Sequence, residues 1–290
     1  MAAAMKPKEI GIPLRRWLFA APALILVTVF IAAPYLNIVI MSLRSPSNVQ
    51  AFGPGFTLQN YIRVLSDRLY LGLLSDTLLY AAVTVAISLP LAYPMALHLA
   101  RTQARYRGLL YAAVLSPLLT GVVIRCFGWI VLLATQGLVN DGLRQLGFGP
   151  IQFLYRPLGV IIALVHVFLP FMILPIMNAI EAVDPRLEEA ARTLGASRAT
   201  VFLRVILPLS MPGVQSGMIL VFVLAASAYV IPMLLGGGWV QTMATVIVQQ
   251  LLGGFLWPFG AALALVLAIT VVLLLVLFAQ VTRRAMRRLA

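Results

Sequence analysis

The sequence is 290 residues long, 62% hydrophobic and only 10% charged, with a mean hydropathy of +1.02. A soluble domain is about half apolar and a quarter charged, so a water-facing globule is excluded and lipid is the solvent for most of the chain. The net charge of +13 comes from 21 Lys and Arg in short clusters between apolar runs, not from a basic face interleaved with aromatics, which argues against nucleic acid as a partner.

In chain order, residues 1–16 read as a cytoplasmic tail carrying Lys6, Lys8, Arg15 and Arg16. The apolar run Trp17–Leu43 is far longer than the roughly 7–15-residue core of a cleaved signal, so it predicts a retained helix. A membrane span needs about 20 mostly apolar residues. Six segments reach that length: 17–43, 74–97, 109–133, 157–180, 213–235 and 257–281. Together they predict an all-α membrane protein with a six-helix transmembrane domain over 17–281 and a short tail over 282–290. Pro34, Pro90, Pro94, Pro117, Pro170 and Pro175 fall inside the spans, which helices in membranes tolerate. Alternating ten-residue segments, the mark of a membrane barrel, do not occur. Cys126 is the only cysteine, so no intrachain disulfide can form.

The loops carry direction. Segments 1–16, 98–108, 181–212 and 282–290 hold 4, 3, 4 and 4 basic residues, whereas 44–73, 134–156 and 236–256 hold 3, 2 and 0. Basic residues stay on the cytoplasmic side, so both termini of this multi-pass membrane protein are expected inside. Ser45-Pro46-Ser47-Asn48 and Gly53-Pro54-Gly55 predict an irregular outer loop, and Gly236-Gly237-Gly238 breaks the helix after the fifth span.

Loop 181–212 has a helical pattern of its own. Asp184-Pro185 is a helix start, and Glu188 and Glu189 follow where the helix dipole favours acids. Leu187, Ala190, Ala191 and Leu194 make an apolar stripe, and Gly195 suits a helix end. Ser197 caps a second short helix bearing Val201, Phe202, Val205 and Ile206. The predicted pair is Asp184–Leu194 and Ala199–Ile206, hinged near Gly195. By periodicity alone, the stripe faces either a partner protein or the membrane surface and the chain's own spans.

Glu189-Ala190-Ala191, three residues, Gly195, nine residues, Val205, one residue, then Leu207-Pro208 resembles the EAA signature of ABC-importer permeases, with Val205 in place of the usual Ile. The resemblance implies a type I importer bundle whose loop forms coupling helices seated in a cleft of a cytoplasmic ABC ATPase dimer. Glu189 would contact the ATPase, Ala190 and Ala191 would permit close approach, and Gly195 would give the turn. It also implies a second homologous permease subunit, expected to be a different chain, and a periplasmic solute-binding protein. No cofactor is implied here, since ATP and Mg would be bound by the ATPase; the chain itself has no G-x4-G-K-[ST] phosphate loop.

Further stretches resemble the polyamine (spermidine/putrescine) permease family, nearest its first permease subunit. They are Val123–Trp129, Gly137–Asn140, Leu169–Pro175 and Tyr229–Gly237. This resemblance implies translocation of a polyamine, with another small organic cation or an amino-acid-like solute as the alternative. The residues expected along the solute path are Asp76, Tyr80, Arg125, Trp129, His166, Tyr229 and Trp239. Asp76 and Arg125 sit at similar depth near the outer face, as a structural ion pair, a snorkelling Arg or a polar mouth. His166 lies near the midplane, either hydrogen-bonded within the bundle or touching solute. The four aromatics offer cation–π faces or interface anchors.

An intramembrane enzyme would need a zinc motif, paired mid-span acids or an activated nucleophile. His98 and His166 are the only histidines and no paired carboxylates lie mid-span, so no catalytic or metal site is expected. An ATP-independent secondary transporter would share the six spans but leave the loop pattern unexplained.

Overall fold

The computed structural model describes residues 14–47, 50–102 and 105–287. The predicted tail therefore lies outside the described residues up to position 13, as do 288–290 at the other end.

The first helix, α1 (Leu14–Ser42), is followed by a short α2 (Gln59–Ser66) and the long α3 (Arg68–Arg101). Next come α4 (Arg107–Leu119), α5 (Val122–Leu133) and α6 (Leu138–Gln145), then α7 (Pro157–Glu181). Two short helices, α8 (Pro185–Thr193) and α9 (Arg198–Val201), lead through a π-helical turn, Phe202–Ile206, into α10 (Leu207–Ala226). The chain closes with α11 (Val230–Gly236), α12 (Met243–Val248), a second π turn at Gln249–Gly253, and α13 (Trp257–Arg287). Among the described residues, six helical stretches are long and apolar enough to cross a membrane. Among the described residues the only β pairing is an isolated bridge between Arg44 and Phe56.

Two predicted spans are not single helices. The stretch 109–133 breaks at Thr120-Gly121, between α4 and α5. Pro117 has already removed one backbone rung there, and Gly121 costs about 1 kcal/mol in a helix interior. The stretch 213–235 breaks at 227–229, and its first helix begins six residues earlier than predicted, at Leu207. Pro232 explains the break, because its ring excludes the carbonyl four residues back, at Ala228. At the end of the chain, α13 stays helical to Arg287, through most of the expected tail. The loops 44–73, 134–156 and 236–256 contain α2 and the start of α3, α6, and α12 respectively.

The centre of the bundle is the trio α3, α7 and α10. Buried Val85, Ala92, Met172, Ile173, Ile176 and Val214 meet there. Lipid tails are as apolar as these side chains, so helices in a membrane associate through close packing, which small residues permit. Gly213 and Gly217 do this on α10. A Cβ added at Gly213 would come within 2.4 Å of the Pro175 carbonyl oxygen, and one at Gly217 within 3.1 Å of that of Met172. One buried polar contact joins α3 to α10, where the Tyr93 and Ser210 hydroxyls share a hydrogen bond of 2.6 Å.

Outside the trio, α1 packs chiefly on α13, and its described side chains are largely exposed. At one end of the bundle α2 is tied to α1, with Asn60 Nδ2 donating to the Ser42 and Arg44 carbonyls at 2.9 and 3.0 Å. Thr77 Oγ1 accepts from the backbone N–H of Met243 at 2.8 Å, joining α3 to α12 at that same end. The other end carries α8, the finish of α3 and the beginning of α4. Since α1 finishes and α13 starts at the α2 end, the first and last described residues both lie towards the α8 end.

Candidate functional site

At the α8 end, sequence dictates geometry step by step. Asp184 caps α8, its side chain accepting from the Arg186 N–H at 2.9 Å, with Pro185 in the first turn where no donor is needed. The helix ends in a two-bond glycine cap: Ala196 N–H donates to Ala191 O at 3.0 Å and Gly195 N–H to Arg192 O at 2.9 Å. Gly195 is left-handed, with φ +85°, and nothing lies within 4 Å of where its Cβ would be. Ser197 then caps α9, accepting from the Thr200 N–H at 3.2 Å. The predicted helix pair is present, the second running without a stop through the π turn into α10.

The residues of the spaced pattern fall into two groups. Glu189 and Ala190 are exposed, as are Leu187 and Leu194 at 49% and 88%. Ala191, Val205 and Leu207 instead pack against the main core, while Pro208 starts α10 with its ring exposed. So one face of α8 is free and the other is braced by the bundle.

The polar part of the brace is made by residues that the spaced pattern does not contain. Glu188, only 8% exposed, takes Arg101 from the end of α3 in an ion pair of 2.8 Å, with Arg192 at 3.6 Å on its other oxygen. Arg101 also donates to the Val183 carbonyl at 3.0 Å. A second clamp joins α4 to the end of α7: Arg107 and Tyr111 both donate to Glu181, the latter at 2.8 Å. The π turn is held too, since the Phe202 ring meets Tyr93 edge-on at 5.3 Å. The only sequence signal for these clamps is an acid beside the pattern and basic residues in the preceding loop on the same side.

The expected path residues separate into several places. Trp129 and His166 meet: Trp129 Nε1 donates to His166 Nδ1 at 3.1 Å and the rings lie edge-on. Tyr80 packs against the same cluster as Trp129. Arg125 lies one turn before Trp129 on α5. Asp76 and Arg125 are not joined, for neither belongs to an ion pair among the described residues. Asp76 is exposed, whereas Nε and Nη1 of Arg125 are buried without an acceptor. His166 also lines a cleft of about 480 Å³ with His98, Leu110, Val114 and Ile173, between α3, α4 and α7. Tyr229 lines a different cleft of about 350 Å³ with Met233, Gln241, Thr245 and Gln249, and Trp239 is 84% exposed. No cluster of three metal-ligating side chains occurs among the described residues.

Asn140 is a structural anchor that chemistry-led reading passes over. Fully buried, it donates to the Ala134 and Ile151 carbonyls at 3.0 Å each and accepts from the Ile151 N–H at 2.8 Å, closing the loop around α6.

Residues 18–288 match the family described as binding-protein-dependent transport system inner membrane component. The chain is 37% identical over 256 residues to the spermidine/putrescine transport system permease protein PotB of Escherichia coli (strain K12), covering 88% of this chain and 93% of that one. It is 36% identical over 263 residues to PotB of Haemophilus influenzae, covering 89% and 91%. In three dimensions it resembles a chain of a bacterial ABC transporter involved in the import of the acidic polysaccharide alginate, with a TM-score of 0.76 at 19% identity, over 93% and 96% of the two chains.

Proposed function

This chain belongs to the family of binding-protein-dependent transport system inner membrane components, and on that premise we propose that it is the permease half-site of a polyamine importer driven by a separate ATPase. The observation that carries the reading is the α8 loop. It holds the spaced pattern from Glu189 to Pro208, with Val205 for the usual Ile, and it presents Leu187, Ala190 and Leu194 to open space while Glu188 and Ala191 bind it to the bundle. A face that is exposed, apolar and rigidly backed suits a protein partner that pushes.

In this reading the α8 end is cytoplasmic, which the basic-residue bias supports. An ATPase dimer engages α8, with Glu189 at the contact. Closure on ATP moves α8, and the Arg101–Glu188 and Arg107–Glu181 clamps carry the motion to α3, α4 and α7. The spans then open to the far side, accept solute from a periplasmic binding protein, and return on hydrolysis. A polyamine is favoured as solute by the likeness to PotB over most of both chains. ATP hydrolysis belongs to the partner, so this chain has a mechanical and conducting role.

The test is a reconstituted complex of this chain, its ATPase, a second permease and the binding protein. Spermidine- or putrescine-loaded binding protein is expected to stimulate ATP hydrolysis, and Gly195→Asp to abolish that stimulation while the complex still assembles. Normal stimulation in the Gly195→Asp complex would remove α8 from the coupling role. Calorimetry on the binding protein decides the solute independently: no binding of either polyamine sinks that part alone.

A further inference from the structure

Between α9 and α10 the helix never stops, yet it holds one residue too many for an α-helix. Over Phe202–Ile206 the backbone is π-helical, and the Leu207 N–H donates to the Phe202 carbonyl, five residues back instead of four. The sequence supplies the cause. Pro208 has no N–H, and in a regular α-helix its ring would strike the carbonyl of Arg204 four residues upstream. The wider turn relieves that clash, against the general preference for α-helical rungs. It therefore stands between two opposed backbone preferences. The second π turn, Gln249–Gly253, runs into coil at 254–256 and connects no helix to another.

Tyr93 on α3 holds the first turn from both sides. Its ring meets Phe202, where the turn begins, edge-on at 5.3 Å, and its hydroxyl shares a hydrogen bond of 2.6 Å with Ser210, four residues past the turn. Tyr93 and Ser210 are both buried, so water does not compete for that bond.

We propose that the π turn is a one-residue register switch between the driven loop and α10, and that Tyr93 is the positioning residue that holds it in the π form. The inference rests on the reading of α8 as the coupling site and deepens it. Converting the turn to α-helix shifts its two sides against each other by about 1.5 Å and about 100° of helical rotation. The open space around left-handed Gly195 leaves room for the upstream side to follow. Tyr93 cannot keep both of its contacts through that change. The bond to Ser210 is thus the catch, and displacement of α8 releases it.

The experiment compares ATP hydrolysis by the reconstituted complex with and without spermidine-loaded binding protein. Deletion of the exposed Leu203 leaves Phe202 and Leu207 four apart, so the same N–H and carbonyl close an ordinary α-helical rung with both Tyr93 contacts in place. This chain is expected to assemble but to lose stimulation, because no spare residue remains to convert. Leu203→Ala keeps the residue count and should stay stimulated. Tyr93→Phe keeps the ring contact and drops the hydroxyl. It should raise hydrolysis without binding protein about threefold or more, as loss of one neutral hydrogen bond allows, and should do so only while Leu203 is present. A side chain that merely stabilised the bundle would act alike in both backgrounds. Full stimulation after deletion of Leu203, equal loss in Leu203→Ala, or a Tyr93→Phe effect indifferent to the deletion would each overturn the proposal. Should the deleted chain not assemble, Tyr93→Phe decides: a raised basal rate supports the switch and an unchanged one rejects it. If the wild-type complex shows no stimulation, the coupling reading fails and the switch falls with it.

Discussion

Glu188 and Glu189 are neighbours with opposite situations. One is nearly buried between Arg101 and Arg192; the other is exposed and makes no ion pair among the described residues. A charge-assisted hydrogen bond of this kind is worth about 1.5–3 kcal/mol. Glu188→Gln should therefore loosen α8 by roughly that amount, read as faster tryptic cutting at Arg186 and Arg192. An Arg101→Glu, Glu188→Arg exchange should recover much of the protection, and equal cutting in all variants would deny the clamp its role. At Gly195 the left-handed φ of +85° costs a side-chain-bearing residue about 1–2 kcal/mol even though the space is free. Gly195→Asn should then be tolerated better than Gly195→Val in transport assays, because Asn visits that conformation more readily. The spaced pattern made the turn at Gly195 legible in advance. It did not make the clamp legible, because Arg101 is 87 residues from Glu188 and only the packing of α3 beside α8 joins them.

Helices were legible as apolar stretches, while their interruptions were not. Hydropathy stays high through Thr120-Gly121 and through Ser227-Ala228-Tyr229, so a length criterion runs across both breaks. Each break comes instead from backbone chemistry: a glycine in the first case, and in the second a proline acting on a carbonyl four residues upstream. The contact of α7 with α10 has the same origin. Gly213 and Gly217 lie four apart, and close approach there leaves no room for one methyl group at Gly213. Overpacking typically costs about 1–3 kcal/mol. Gly213→Ala should lower the thermal midpoint of the detergent-solubilised protein by several degrees. Gly72→Ala, where nothing lies within 4 Å, should leave it unchanged or slightly higher. If the two substitutions behave alike, close helix contact is not what holds α7 to α10.

At the scale of the whole molecule, the contacts fix which helix ends lie together, and the basic residues decide which side of the membrane they face. The α8 end gathers the first residues of α1 and the last of α13, and among the described residues the segments on that side hold twelve of 18 Lys and Arg. Retention of basic residues in the cytoplasm then orients the whole bundle, because one misplaced loop would drag an entire helix with it. A labelling experiment can test this directly, since Cys126 is the only cysteine and is fully buried. Gln50→Cys and Thr193→Cys each place a thiol at an exposed position, at opposite ends of the bundle. Membrane-impermeant maleimide added to spheroplasts should label Gln50→Cys and leave Thr193→Cys untouched until the membrane is opened. The reverse pattern would place α8 outside, beyond the reach of any cytoplasmic ATPase. The unsubstituted chain should stay unlabelled in both conditions, because its thiol is closed off by the packing of α5 against α7 and α11.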